Sequence, residues 1–356
     1  MDRASDNCEG ERYAPRRLTL QWHVTERCNY RCAHCYQDGY GGEELPFPDL
    51  LRVLEQFKEL VGSWGDAGRG HLTVTGGEPF VRRDFLELLE VVSAQRRYFS
   101  FAILTNGSLI DRALARRLRV LGPAFVQVSV EGARETHERI RGRGSFEKAA
   151  SALRCLAREG IPTFISFTAH RGNFQEFPQV VQLGRRLGVT RVWADRLVPW
   201  GMGQALGEQV LAPGETKEFF EIMARARAEA ARSWFGRTEV AMRRALQFLV
   251  AGGRPYRCAA GDSLVTVMPN GDLYPCRRMP IRVGNLLETP LKDLYYQSEL
   301  FRALRRRDLV GEGCAGCFYR NLCAGGLRCL SYALTGDPFQ ADPGCWRRQP
   351  EARPAS

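Results

Sequence analysis

No stretch of about 18 consecutive uncharged apolar residues occurs in this chain, so nothing in it reads as a membrane-spanning helix. The N-terminal segment MDRASDNCEGERYAPRR is charged where a secretory signal needs an apolar run. These two absences give the expectation of a cytoplasmic protein with no membrane partner. Lysine is nearly missing as well: four of the 51 basic residues are lysine, so the formal charge of +11 rests on arginine. The arginines lie among acidic residues (ARRLRV, RRRD, CWRR) and form no stripe interleaved with aromatics, which argues against nucleic acid. An acidic peptide or a carboxylate-bearing substrate suits them better. Histidine is scarce, with five residues, whereas cysteine is abundant, with twelve. In a reducing compartment twelve cysteines point to metal ligation or redox chemistry rather than to structural disulfides.

The 356 residues, 44% of them hydrophobic, suffice for one large domain with a smaller one attached. From residue 18 to about 198 strand-like runs alternate with helix-like segments, the signature of a parallel sheet with helices outside. Six strands are predicted: Leu18–Thr25, His71–Thr75, Phe99–Leu104, Phe125–Glu131, Phe164–His170 and Arg191–Val198. Leu50, Val53, Leu54, Phe57 and Leu60 recur at helical spacing behind Pro48, which a first turn tolerates. Asp84 and Ser145 are expected as N-caps of the next helical segments. Several strands alternate polar and apolar residues, which a sheet covered on both faces does not require. A sheet curling into a partly open barrel would turn Gln21, His23, Gln127, Ser166, Thr168, His170 and Asp195 into its lumen. His23 and His170 are then either acid/base groups or hydrogen-bonded interior residues, and no catalytic base is assigned.

Residues 214 to about 250 read as helical and connecting. After Arg254 periodicity fades and seven cysteines follow: Cys258, Cys276, Cys314, Cys317, Cys323, Cys329 and Cys345. So many in so short a stretch suggest a small domain organised by metal. Cys155, in the helix-like SALRCLAREG, reads as a small buried hydrophobe, and Cys8 is left in the N-terminal segment. Cys28, Cys32 and Cys35 form a CxxxCxxC just past the first strand, where α/β enzymes place their chemistry. Three sulfurs leave one coordination position open, and His34, inside the same loop, is badly placed to fill it. Zinc and iron–sulfur clusters both accept such thiolate-rich sets.

CxxxCxxC after the first strand resembles the signature of radical SAM enzymes, and further motifs follow in order. Gly76-Gly77-Glu78-Pro79 is similar to the family's GGEP, which implies contact with the amino group of S-adenosylmethionine (SAM). Thr105-Asn106-Gly107 resembles the TNG that ends the third strand. Ser129-Val130-Glu131-Gly132 resembles SxDG, with Glu131 in place of the commoner aspartate and polar side chains toward the ribose. Arg141, in HERIRGRGSF, matches the arginine that approaches the SAM carboxylate. The resemblance implies a [4Fe–4S] cluster on Cys28, Cys32 and Cys35, with its fourth iron left for SAM. One electron into the sulfonium then breaks an S–C bond, and the resulting 5′-deoxyadenosyl radical abstracts hydrogen from substrate. His34 occupies a place where this family more often has an aromatic residue.

The C-terminal cysteines resemble the SPASM domain, which carries up to two auxiliary clusters. The resemblance implies an outer cluster on Cys314, Cys317, Cys323 and Cys345, and an inner one on Cys258, Cys276 and Cys329. The pattern departs at CAGGLRC, where Leu327 stands directly after the two glycines and the cysteine is delayed to Cys329. Zinc in either position is the alternative. The fold expected is α/β: a partial (β/α)6 TIM-like barrel followed by a small cysteine-rich metal-cluster domain. Its divisions are an N-terminal extension 1–17, the barrel 18–213, a helical connector 214–253, the SPASM domain 254–348 and a tail 349–356.

The family implies oxidative modification of a ribosomally made peptide or protein. An electron donor such as flavodoxin or ferredoxin is implied too. The aspartate that follows the GxxxxC cysteine in sulfatase-maturing relatives is replaced by Arg277, with Arg278 and Met279 next, which argues against formylglycine formation. About seventeen residues precede the first strand, so leader recognition is expected from a separate protein or from the SPASM surface. That expectation favours a second reading, haem or other cofactor biosynthesis by radical decarboxylation. In it Arg196, Arg277 or Arg278 would pair with carboxylates, unless they are solvated surface charges. A non-enzymatic iron–sulfur carrier would leave GGEP and the polar lumen without a use.

Overall fold

The computed structural model describes residues 13–65, 70–232, 238–309, 311 and 313–348. Each predicted strand is present within two residues at either end: β1 (Leu18–His23), β2 (Gly70–Thr75), β3 (Phe99–Thr105), β4 (Phe125–Ser129), β5 (Thr163–Ala169) and β6 (Arg191–Arg196). Between them run α1 (Phe47–Gly62), α2 (Phe85–Ala94), α3 (Arg112–Leu121), α4 (Arg134–Arg141), α5 (Ser145–Arg158) and α6 (Phe177–Arg186). The chain continues through α7 (Pro213–Ala231), β7 (Glu239–Ala241), α8 (Phe248–Ala251), β8 (Leu264–Val267), β9 (Asp272–Tyr274), β10 (Gly284–Asn285), α9 (Leu291–Gln297), α10 (Glu299–Arg305), α11 (Arg320–Cys323) and α12 (Arg328–Thr335).

These elements form two compact units, each discontinuous in sequence. The first comprises the chain up to Arg27, Gly41–Ala102 and Ala259–Arg306; the second comprises Cys28–Tyr40, Ile103–Cys258 and the chain from Arg307 on.

In the first unit the strand order is β10-β9-β8-β1-β2. β1 pairs in parallel with both β2 and β8, and β9 runs antiparallel to β8 and β10. Leu18, Leu20, Trp22 and Val24 are fully buried on one face of the β1 segment, as the alternation predicts. The apolar stripe of α1 is buried to the last residue named above. β8 was not expected: the cysteine-rich segment hides a four-residue strand that joins the sheet beside β1.

In the second unit, which takes only the last three residues of β3, the order is β4-β5-β6-β7, all mutually parallel. β7 is a further correction, because residues 214–250 are not purely helical. Val126, Val128, Val130, Ile165 and Phe167 are buried, and Gln127 lies opposite them, donated to by the Trp193 indole at 2.9 Å.

Asp84 holds the N-cap position of α2 as expected, whereas Ser145 is corrected from cap to first helical residue. Asp84 makes no cap bond and instead accepts from Arg82 at 2.6 Å, and α5 starts behind Gly144, with the Ser145 hydroxyl donating back to Gly142. Cys155 is half-buried rather than buried, and Cys8 lies outside the described residues. No helix among the described residues is long and apolar enough to cross a membrane.

Candidate functional site

In the first unit the segment Thr25–Arg27, which leads into Cys28, is held by the Gly76-Gly77 turn after β2. Gly77 N–H donates to Thr25 O and Glu78 N–H to Arg27 O, both at 2.9 Å. A Cβ at Gly76 would lie 2.6 Å from Thr25 O and one at Gly77 2.5 Å from Arg27 O, so only glycine permits this approach. Glu78 is fully buried and accepts from Phe80 N–H, and Pro79 opens the short turn that follows. Arg82 completes the support: it is 6% exposed, donates to the carbonyls of Val24 and Leu45 at 2.8 Å each, and pairs with Asp84. Sequence reading missed Arg82; its nearness to GGEP is the only signal.

His23, at the end of β1, is buried, and burial together with Arg277 holds its imidazole well below the ordinary range, so it is neutral. Arg277 itself is 7% exposed, which corrects its reading as solvated charge. Cys276, beside it, is half-buried in this unit.

In the second unit the loop bearing Cys28, Cys32 and Cys35 is fixed by its backbone and by three neighbouring segments. Ala33 N–H donates to Ile140 O on α4 at 2.9 Å, and Gly203 N–H, after β6, donates to Cys35 O at 2.8 Å. The TNG segment grips the other side: Asn106 donates to Asn29 Oδ1 at 2.9 Å, and Asn29 donates to Ser108 Oγ at 2.8 Å. Donors also face the sulfurs. Tyr30 N–H and Asn106 Nδ2 stand 3.4 and 4.0 Å from Cys28 Sγ, and Arg141 Nη1 stands 3.8 Å from Cys32 Sγ. Burial pushes the Cys32 thiol up, and Arg141 partly offsets this. Thiolate ligands are stabilised by such second contacts, so the three cysteines fit an iron–sulfur group. Among the described residues no three His, Cys, Asp or Glu side chains converge on a single metal-ion position.

Glu131 sits at the centre of this arrangement, fully buried. Its Oε1 accepts from His34 Nε2 at 3.1 Å and from Arg141 Nη2 at 2.5 Å, and its Oε2 accepts the Thr168 N–H at 2.8 Å. Burial pushes its carboxyl up, but Arg141 and His34 outweigh that and hold it well below the usual carboxylate range. Glu131 therefore clamps the cysteine loop through His34 while ordering Arg141. His137 donates nothing to it but accepts the Glu131 N–H at 3.1 Å; burial and Arg141 lower its imidazole to about 3.

Ser129 Oγ accepts from Ser166 at 3.2 Å. His170, 7% exposed, accepts the Gly172 N–H at Nδ1, and burial lowers it to about 4. Its Nε2 and His34 Nδ1 are buried without a hydrogen-bond partner among the described residues. As a neutral imidazole that accepts at Nδ1, His170 carries its N–H at Nε2. Asp195 pairs with Arg244 at 3.4 Å.

The second unit also gathers the C-terminal sulfurs. Cys314, Cys317, Cys323 and Cys345 line one cavity together with Phe248, Tyr319 and Asp342. Burial and mutual repulsion push Cys314 up to about 11 and, with Asp342, Cys323 up to about 12. A bound cationic metal would stabilise these four crowded thiols as thiolates, so the set fits a metal cluster. Cys258 and Cys329 are buried in the same unit. Arg196 is neither a substrate clamp nor a surface charge: it is 1% exposed and paired with Asp342.

Residues 22–184 match the radical SAM superfamily, and residues 258–318 match the SPASM iron–sulfur cluster-binding domain. Among curated proteins, the chain is similar to the AdoMet-dependent heme synthase of Methanosarcina barkeri, 28% identical over 93% of this chain and 96% of that one. It is equally similar to the PqqA peptide cyclase of Granulibacter bethesdensis, 28% identical over 90% of this chain and 85% of that one. Among solved structures, Streptococcus suis SuiB bound to S-adenosylmethionine superposes with a TM-score of 0.73 at 16% identity, over 93% of this chain and 77% of that one.

Proposed function

This chain is a radical SAM enzyme with a C-terminal SPASM domain, and on that footing we propose that it oxidatively modifies a ribosomally synthesised peptide or protein. Its cofactors are [4Fe–4S] clusters and S-adenosylmethionine. The chemistry they supply when bound is reductive cleavage of SAM, which yields a radical able to take hydrogen from an unactivated carbon.

The residues divide that work as follows. Cys28, Cys32 and Cys35 are proposed to ligate the SAM-binding cluster, with Arg141 and Asn106 screening the sulfurs. Gly76, Gly77, Glu78 and Pro79 are proposed for the SAM amino group and Ser129 for the ribose. Glu131, with both oxygens already taken by protein donors, is assigned to the clamp on the loop. Cys314, Cys317, Cys323 and Cys345 are proposed to ligate an outer auxiliary cluster, and Cys258, Cys276 and Cys329 to contribute to an inner one.

The observation that carries the oxidative reading is the cavity lined by four sulfurs. A fully thiolate-ligated cluster has no position for substrate, so its use is to accept the electron that hydrogen abstraction leaves behind. Likeness to a peptide cyclase along nearly the whole chain supports a peptide as the substrate. A separate leader-recognition protein and a flavodoxin or ferredoxin donor complete the proposal.

A second reading is favoured by equal likeness to a haem synthase: radical decarboxylation of porphyrin propionates. The deciding experiment is anaerobic incubation of reconstituted enzyme with SAM, reductant and the short peptides encoded beside its gene, followed by mass spectrometry. Loss of hydrogens from one peptide supports the first reading. Unchanged peptides, with carbon dioxide released from an added porphyrin, would replace it with the second.

A further inference from the structure

Arg196 ends β6, and Asp342 lies just ahead of Cys345; 146 residues apart, both are 1% exposed. The guanidinium meets the carboxylate at two points, Nη1 to Oδ1 at 2.8 Å and Nη2 to Oδ2 at 2.6 Å. The carboxylate accepts two more bonds, from Leu327 N–H at 2.8 Å and from Gly344 N–H at 2.9 Å. The backbone of Asp342 is engaged as well: its N–H donates to Gly325 O, and its carbonyl accepts from Cys345 N–H, both at 2.9 Å. One side chain thus ties the loop that follows Cys323 to the loop that carries Cys345, and binds both to β6.

The glycines of both loops are shaped around this pair. A Cβ at Gly326 would fall 2.6 Å from the Asp342 side chain, and one at Gly344 2.1 Å from Arg196 Nη1. This gives the second glycine of CAGGLRC and the one of DPGC a physical reason that spacing alone does not supply. Both charges also act on neighbouring sulfurs, Asp342 on Cys323 and Cys345, and Arg196 on Cys345.

A buried ion pair is weak evidence for net stability, because well-packed apolar replacements often do as well. The four bonds converging on Asp342 give this one a different use. We propose that Arg196 and Asp342 are positioning residues for the outer auxiliary cluster, fixing its Cys323 and Cys345 loops to β6 and setting the charge beside it. The proposal rests on the reading that Cys314, Cys317, Cys323 and Cys345 hold that cluster.

The test is a redox titration, followed by electron paramagnetic resonance, of the reconstituted full-length enzyme and of Arg196→Met, Arg196→Lys and Asp342→Asn. Iron per chain is measured on each, and the signal lost in Cys323→Ala identifies the outer cluster. Losing the cation in Arg196→Met is expected to move the outer potential negative, and losing the anion in Asp342→Asn to move it positive. Arg196→Lys, which keeps the charge and loses the two-point geometry, is expected to restore the potential but retain less outer iron. Should Asp342→Asn not hold the cluster, the contrast between Arg196→Met and Arg196→Lys decides alone. Shifts of the same sign, or none in Arg196→Met, overturn the proposal, because a merely structural pair would disturb its variants alike. If Cys323→Ala removes no iron and no signal from the wild-type pattern, the reading of the four cysteines fails instead.

Discussion

The two groups of cysteines in the second unit keep sulfur inside the protein by different means. At Cys28, Cys32 and Cys35 the chain supplies donors: Arg141, Asn106 and a backbone N–H face the sulfurs, and Glu131 with His34 holds the loop in place. At Cys314, Cys317, Cys323 and Cys345 four sulfurs crowd one cavity, and Asp342, which also lines it, adds to burial in pushing the Cys323 thiol up. On the proposed reading the first group is short of one ligand and the second has four, and at the second burial outweighs the offsetting effect of Arg348, Arg196 and the Gly326 and Arg347 N–H groups. An open iron suits a group that must bind a second molecule, and a closed set suits one that only holds an electron.

Removing a ligand from each group breaks the comparison most directly. Cys32→Ala is expected to abolish SAM cleavage and to lower iron by about four per chain. Cys323→Ala is expected to lose a similar amount while SAM cleavage persists without modified product. Iron analysis and detection of 5′-deoxyadenosine check both, and loss of cleavage in Cys323→Ala would remove the distinction.

The clamp comes next. Glu131→Gln leaves Arg141 buried without its counter-charge, which should lower stability by roughly 3 kcal/mol, read as a shift in denaturant midpoint. A change near zero would mean that Arg141 finds another partner. Asn106→Ala removes one donor facing Cys28 and is expected to weaken retention of the SAM-binding cluster by about 10-fold, measured by chelator challenge. The outer cluster should be lost at the wild-type rate.

The smallest effect lies in the first unit, at His71 on β2. Burial and Arg17 lower His71 to about 4, and Arg17 and Ser100 occupy its Nδ1. The unfolded chain takes up the proton first, near its ordinary value of about 6.5. The stability His71 contributes is therefore complete above about pH 6.5 and is lost as pH falls from there toward 4. His71→Asn should flatten the denaturant midpoint over that window, and an unchanged pH profile would show that the site is more open than its burial implies.

Local patterns carried much of this into the sequence. Strand-like runs between helix-like segments located β1 to β6, with period-two alternation in β1, β4 and β5, and the spacing of CxxxCxxC, GGEP and TNG marked the turns after β1, β2 and β3. What stayed hidden depends on pairing across long separations. β8 is four residues long and acquires its place from β1, some 245 residues away; its β-branched LVTV is compatible with a strand but does not say which strand it joins. Arg196 reads as any strand-end arginine until Asp342 is beside it. Glu131 looked like a variant of a ribose-binding aspartate, and only the contact with His34, 97 residues away, makes the longer side chain and the missing aromatic intelligible together. Asp84 stands at the helix end as expected but gives its side chain to Arg82, and Ser145 was misplaced by one residue, its hydroxyl turning back to Gly142.

The central claim is that one cysteine group leaves an iron open to SAM and the other does not. Electron paramagnetic resonance of the reduced enzyme, with and without SAM, tests it most directly when Cys32→Ala and Cys323→Ala are recorded alongside. The account expects SAM to perturb one signal, absent from Cys32→Ala and unchanged in Cys323→Ala. A SAM-sensitive signal that survives in Cys32→Ala and disappears in Cys323→Ala would contradict it.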